Sequence, residues 1–146
     1  MNLKAIFISL VCAVLFWAAP STAIAASLTS HAPTDARAYI IEPADGATVP
    51  ETFTVKFGLS GMELAPAGVD KENTGHHHLL IDGPELPEPN ASLPSTDQIR
   101  HFGKAQTETK LTLPPGEHTL QLVLGNYLHI RHDNPVISKQ ITVDVE

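Results

Sequence analysis

Residues 107–124 read TETKLTLPPGEHTLQLVL, and this stretch decides the fold. Residues 107–113 have strand length and composition. The PPGE at 114–117 is tight-turn chemistry. Residues 118–124 return with Leu120, Leu122 and Leu124 directed inward at the period of a half-buried strand. A hairpin or strand-turn-strand unit is predicted there.

The same period recurs on both sides of that unit. Toward the C-terminus, residues 136–145 alternate as a final strand. Toward the N-terminus, residues 53–59 (FTVKFGL) place Phe53, Val55, Phe57 and Leu59 on one face and Thr54, Lys56 and Gly58 on the other. Residues 38–42 (AYIIE) form a first strand, with Pro43, Asp45, Gly46 and Pro50 supplying turn chemistry after it. Residues 75–82 (GHHHLLID) form another strand, and the segments 60–75 and 125–135 read as loops. Residues 83–98 contain four prolines. Proline lacks the donor a sheet ladder needs, so an irregular crossing is predicted, with a turn of helix near 95–99.

Six strands without a helical stripe predict a single-domain, all-β fold over residues 38–146, an antiparallel β-sandwich of immunoglobulin type. Residues 26–37, short, polar and broken by Pro33, read as a disordered spacer. Residues 1–25 carry Lys4, an apolar run from Ala5 to Ala19 and the A-x-A pattern of Ala23, Ile24 and Ala25. That is the pattern of a cleaved secretory signal peptide, forming a helix before the domain, with the mature start near Ala26. The apolar run is shorter than a membrane-spanning helix requires, so an uncleaved anchor is the lesser reading. A periplasmic or secreted protein is expected, with no membrane association after cleavage.

The sole cysteine, Cys12, falls in that leader, and Ser9, Leu10 and Val11 before it do not make a lipoprotein cleavage box. The mature chain then has no thiolate chemistry and no disulfide. Nine basic against sixteen acidic residues, with Lys4 lost at cleavage, leave an acidic surface unsuited to nucleic acid or an anionic membrane.

Strand direction gathers the histidines. If consecutive strands reverse, the loop 60–75, the start of the histidine strand, His101 and the loop 125–135 all fall at one end of the sandwich. His76, His77, His78, His101, His129 and His132 meet there, and His118 lies at the other end. Alternation turns His77 with Leu79 and Ile81 toward the core and leaves His76 and His78 to reach out together. Two imidazoles at i and i+2, joined by others from neighbouring loops, make a nitrogen ligand set for copper(II) or zinc: His76, His78, His101, His129 and His132. Asp70, Glu72 and Asp133 are candidates for a carboxylate ligand or for orienting a ring nitrogen. With Met62 the one thioether of the mature chain, a dedicated Cu(I) site is disfavoured.

A structural reading stands beside this one: the histidines brace long loops by donating to backbone carbonyls, and the same end binds an envelope protein or a small ligand without metal. His118, opening a core strand after a turn, is expected to have a satisfied packing role. Lys104, Gln106 and Arg131 are candidates to hold an anion. No G-x-S-x-G elbow or phosphate-binding glycine loop is present, and no catalytic residue is assigned.

Three blocks, VDKENTGHHHLLID from residue 69, HFGKAQTETKLTLPPGEHTLQLVLGN from residue 101 and HIRHDNPVIS from residue 129, resemble the bacterial secreted family known as domain of unknown function 4399. The resemblance runs from about Tyr39 to the C-terminus. Its characteristic residues fall on His76, His77, His78, Asp82, His101, Gly103, Lys104, His118, His129, His132 and Pro135. It implies a small exported β-sandwich domain and assigns no activity.

Overall fold

The computed structural model describes residues 28–146, all of them strand, turn or irregular chain. The signal peptide read over residues 1–25 lies outside the described residues. Nine strands follow in order: β1 (Arg37–Glu42), β2 (Ala47–Val49), β3 (Thr52–Ser60), β4 (Glu63–Leu64), β5 (Thr74–Ile81), β6 (Ile99–His101), β7 (Glu108–Thr112), β8 (Gly116–Gly125) and β9 (Ile141–Val145). They form a two-sheet sandwich, one sheet ordered β1-β3-β7 and the other β2-β9-β8-β5-β4, with β6 also paired to β5.

The core lies between the sheets and follows the predicted alternation. Phe53, Val55 and Phe57 of β3, with Leu111 of β7, face Leu79 and Ile81 of β5 and Leu120, Leu122 and Leu124 of β8. Val143 and Val145 of β9 extend it. Burying one such side chain stabilises the fold by roughly 1.5–3 kcal/mol, so this layer dominates the stability.

Several pairings differ from the sequence reading. Of the two readings of the PPGE unit, strand-turn-strand is the one found and not the hairpin: β7 belongs to the first sheet and β8 to the second, so the turn crosses the sandwich. The segment 43–50 contains β2, which pairs in parallel with β9. The loop after β3 contains β4, parallel to the start of β5.

No helix forms near residues 95–99. Thr96 instead closes a turn with Ile99: its amide donates to the Ile99 carbonyl (2.9 Å) and its hydroxyl accepts from the Ile99 amide (3.0 Å). The chain then enters β6. The final strand begins later than expected, because Ser138 Oγ accepts from the Leu122 amide (2.9 Å) and takes the place of a backbone rung.

Residues 28–36, read from sequence as a spacer, lie against the loop 126–134. Ala32 is fully buried, and its amide donates to Asp133 Oδ1 (3.1 Å). Asp133 N donates to the Ser30 carbonyl, and Asn134 Nδ2 to that of Pro33. Short polar composition hid this strap because backbone groups make most of its bonds.

Candidate metal centre

Among the described residues, β5 is the only strand in which every residue is buried. Its inner face is core. The outer face is covered by the proline-rich crossing, whose Leu93 packs with Leu80, Ile99 and Val123, and with Leu86 against them. His77 points inward, its ring edge-on to Phe57 with centroids 5.0 Å apart. His76 and His78 point to the outer face as alternation predicts, but the covering layer leaves them fully buried where the sequence suggested that they reach out.

The register of the sheet brings the other members. β6 runs antiparallel to β5 with His101 directly opposite His78. On the other side, β8 sets Gly125 opposite His76 and Val123 opposite His78. Two glycines make room for the rings. A Cβ at Gly103 would come within 2.3 Å of His101 Cε1, and one at Gly125 within 2.8 Å of His78 Cε1. Neither glycine has a positive φ, so space, not backbone conformation, is what they supply.

His129 arrives on a loop fixed by Asn126, which is 1% exposed. The Asn126 Oδ1 accepts from the amides of Leu128 (2.9 Å) and Ile130 (3.0 Å), while its Nδ2 donates to the Leu28 carbonyl and Ser30 Oγ of the strap. The Leu93 amide donates to the His129 carbonyl. His129 itself sits at φ +66°, a left-handed conformation that costs a non-glycine residue of order 1 kcal/mol and is held here by the loop's bonds.

The result is a cluster of four imidazoles. One nitrogen from each of His76, His78 and His101 lies within 4.8 Å of the others, so these three could hold a metal ion. His129 Nε2 is 3.2 Å from His101 Nε2, and its ring also lies 4.9 Å from that of His76, centroid to centroid. Neither ring nitrogen of His76 or His78 has a hydrogen-bond partner, and the same is true of inward-facing His77, so it is the convergence of His76 and His78 with His101 that distinguishes the cluster. His76 and His78 form the floor of the cluster; His101 and His129 are partly exposed at its rim.

Burial makes these rings poor bases. Desolvation first, then the neighbouring histidines, lowers His76 to about 4 and His78 to about 3. His101 is lowered by desolvation and by His129. Both buried members are therefore neutral at pH 7, each with a lone pair available to a cation and no proton to displace.

The remaining predicted residues lie elsewhere. His132 is buried, and its Nε2 donates to the Thr74 carbonyl (3.1 Å), tying the loop 126–134 to β5; it is not one of the three grouped nitrogens. The Asp133 carboxylate is engaged by His31 Nδ1 (3.0 Å) and the Ala32 amide. Asp70 is exposed, and Glu72 lines a shallow cleft with Met62 and Lys71 that contains no histidine. Arg131 donates through one guanidinium nitrogen to the Pro87 carbonyl, and Gln106 accepts from the backbone of Lys104.

His118 has the satisfied role expected of it. Its Nδ1 lies 2.9 Å from Asp82 Oδ2 and its Nε2 2.9 Å from the Pro114 carbonyl. Two acceptors on one ring favour the imidazolium, and the hydrogen bond to Asp82 raises its pKa. Sequence reasoning missed Asn126 and the clearance at Gly103 and Gly125. The one local signal was the Gly125-Asn126 pair at a strand end, which marks a turn and says nothing of a ring nearby.

A family model described as domain of unknown function (DUF4399) matches residues 55–146, from within β3 to the C-terminus, starting later than the expected Tyr39. No curated protein and no solved structure matches this chain.

Proposed function

Because the chain belongs to the DUF4399 family, whose description assigns no activity, we propose a function from the site itself: an exported, periplasmic or secreted protein that binds a divalent transition metal, Cu(II) or Zn(II), through the histidine cluster at one end of the sandwich. One observation carries this reading. Three histidine nitrogens from β5 and β6 lie within 4.8 Å of one another, and the two strand-borne rings are fully buried with no hydrogen bond of their own.

A buried polar group without a partner costs roughly 1–3 kcal/mol. Four such nitrogens on His76 and His78 therefore represent a substantial expense in stability. Loop bracing does not account for them, since a bracing histidine donates to a carbonyl, as His132 does. A cation that accepts the one lone pair of each neutral ring accounts for two of the four, and the N–H of each ring stays without an acceptor. Imidazole nitrogen suits copper and zinc, and the cluster has neither a thiolate nor a carboxylate to select a softer or harder ion. Export rests on the leader pattern of residues 1–25.

The test is retention of metal. Protein loaded with Zn(II) or Cu(II), desalted and measured by plasma mass spectrometry should carry one ion per chain, and a His76→Ala/His78→Ala double variant should carry none. Metal-free wild type after loading, or equal retention by the variant, would sink the proposal. Mass spectrometry of the exported chain checks the leader, with a start near Ala26 expected.

A further inference from the structure

We infer that the cluster is a closed, tetrahedral four-imidazole centre in which His129 is the fourth ligand, and that its ion is Zn(II) enclosed without a bound water. This deepens the proposed function and rests on it.

The evidence is the shape of the four rings. Their six centroid separations are 5.0 Å (His76 to His78), 5.0 Å (His76 to His101), 4.9 Å (His76 to His129), 5.1 Å (His78 to His101), 5.9 Å (His78 to His129) and 4.7 Å (His101 to His129). Four imidazoles sharing one ion at ~2.0–2.1 Å put their centroids ~3.2 Å from it, hence ~5.2 Å apart at the corners of a tetrahedron. A square-planar set would give four separations near ~4.5 Å and two near ~6.4 Å. The observed distances cluster about the tetrahedral value. The pair opposite the long one, His76 to His101, is 5.0 Å and not long, as a second diagonal would have to be.

At the rim one nitrogen pair already fits such an ion, while the nitrogens that all lie within 4.8 Å of one another are those of His76, His78 and His101, so the His129 ring has to shift inward to complete the set. His101 Nε2 and His129 Nε2 are 3.2 Å apart, against ~3.3 Å for two ligands on one tetrahedral ion. The rings come from three elements: His76 and His78 from one face of β5, His101 from β6, and His129 from the loop that Asn126 and the strap fix. His129 takes part in this set from a left-handed backbone conformation. Gly103 and Gly125 hold the space that His101 and His78 occupy.

The geometry bears on the choice of ion. Zn(II) is indifferent to d-electron preferences and accepts a tetrahedron of four donors, whereas Cu(II) favours a tetragonal plane. Copper binds nitrogen sites more tightly in general, so a protein that prefers zinc must do so through geometry. Four protein ligands also leave no open position, which is the mark of a structural or storage site and not of a hydrolytic one.

The experiment uses the full exported chain loaded with Zn(II), and separately with Co(II) as a spectroscopic probe. X-ray absorption at the zinc edge should report four imidazole nitrogens and no water oxygen, and the Co(II) protein should show the strong visible bands of a tetrahedral site. His129→Asn keeps a residue that tolerates left-handed φ and removes the ring. It should weaken Zn(II) binding by more than the ~10–100-fold that loss of an outer partner costs, and it should bring an oxygen into the zinc shell. Zinc bound by three imidazoles and water, or a His129→Asn protein with unchanged affinity and spectrum, would overturn the four-ligand centre while leaving metal binding intact. Preferential retention of Cu(II) with a planar, tetragonal electron paramagnetic resonance signal would overturn the choice of ion. Failure to retain any of the three metals would remove the function proposed above along with this inference.

Discussion

Acidifying the metal-free protein should cost it much of its stability, and His77 and His78 set the scale. Burial lowers His77 to about 4 and His78 to about 3. An imidazole in the unfolded chain titrates near ~6.5. Between those values the unfolded chain takes up protons that the folded chain refuses. The stabilising contribution is thus complete above ~6.5 and is lost as pH falls toward the folded values. At about pH 5 the unfolded state gains about 2 kcal/mol per histidine, so about 4 kcal/mol from this pair. His76, lowered to about 4, acts in the same direction. Set against the ~5–15 kcal/mol typical of a domain, that brings the metal-free protein close to unfolding. Urea melts followed by far-ultraviolet circular dichroism, from about pH 7.5 down to about pH 5, should show the midpoint falling at constant m-value. His77→Leu, apolar among Phe57 and its neighbours, should flatten the profile by about 1.4 kcal/mol per pH unit near pH 5, the weight of one proton. A midpoint that does not move between those pH values, or a His77→Leu profile as steep as wild type, would refute the reasoning.

Gly103→Ala should displace the His101 ring, since the new Cβ would stand 2.3 Å from its Cε1. Zn(II) affinity measured by chelator competition should then drop ~10-fold or more with an unchanged dichroism spectrum. Asn126→Ala removes both acceptor and donor from the loop of His129 and leaves the Leu128 and Ile130 amides unpaired; a loss of about 2–4 kcal/mol in urea unfolding is expected. His118 runs opposite to the triplet. Its raised pKa contributes stability that is present below the unfolded value near ~6.5 and lost as pH rises through the folded one. Asp82→Asn should move the His118 titration, read by nuclear magnetic resonance of its ring proton, down toward the unfolded value.

The parts of this fold that were legible in sequence are those where one face of a strand meets the core. Phe53, Val55 and Phe57 announce β3 because polar residues separate them, and the same rule assigned His77 inward and His76 and His78 outward. What lies over the outer face was not legible. Leu86, Leu93 and Ile99 cover it from a segment with four prolines and no period, and three-residue β6 takes its strand character from β5 and not from its own composition. The turn at 114–117 was legible, yet the sheet that each flanking strand joins depends on distant partners, β3 for one and β5 and β9 for the other. His129 was placed at the correct end by direction alone. Its approach to His101 within hydrogen-bond distance needed Asn126 and residues 28–30, which carry no pattern that sequence reading could score.

The strap has a practical meaning for anyone attaching this domain to something else. Leu28 is bonded to Asn126, beside the loop of His129, whereas Val145 pairs with Gly116 and Glu146 with Val49 at the far end of the sandwich. A polyhistidine tag joined directly at residue 28 would start beside the loop of His129 and would compete with the imidazoles for the ion under study. A tag, a dye or a surface tether belongs after Glu146, where the body of the sandwich separates it from the cluster.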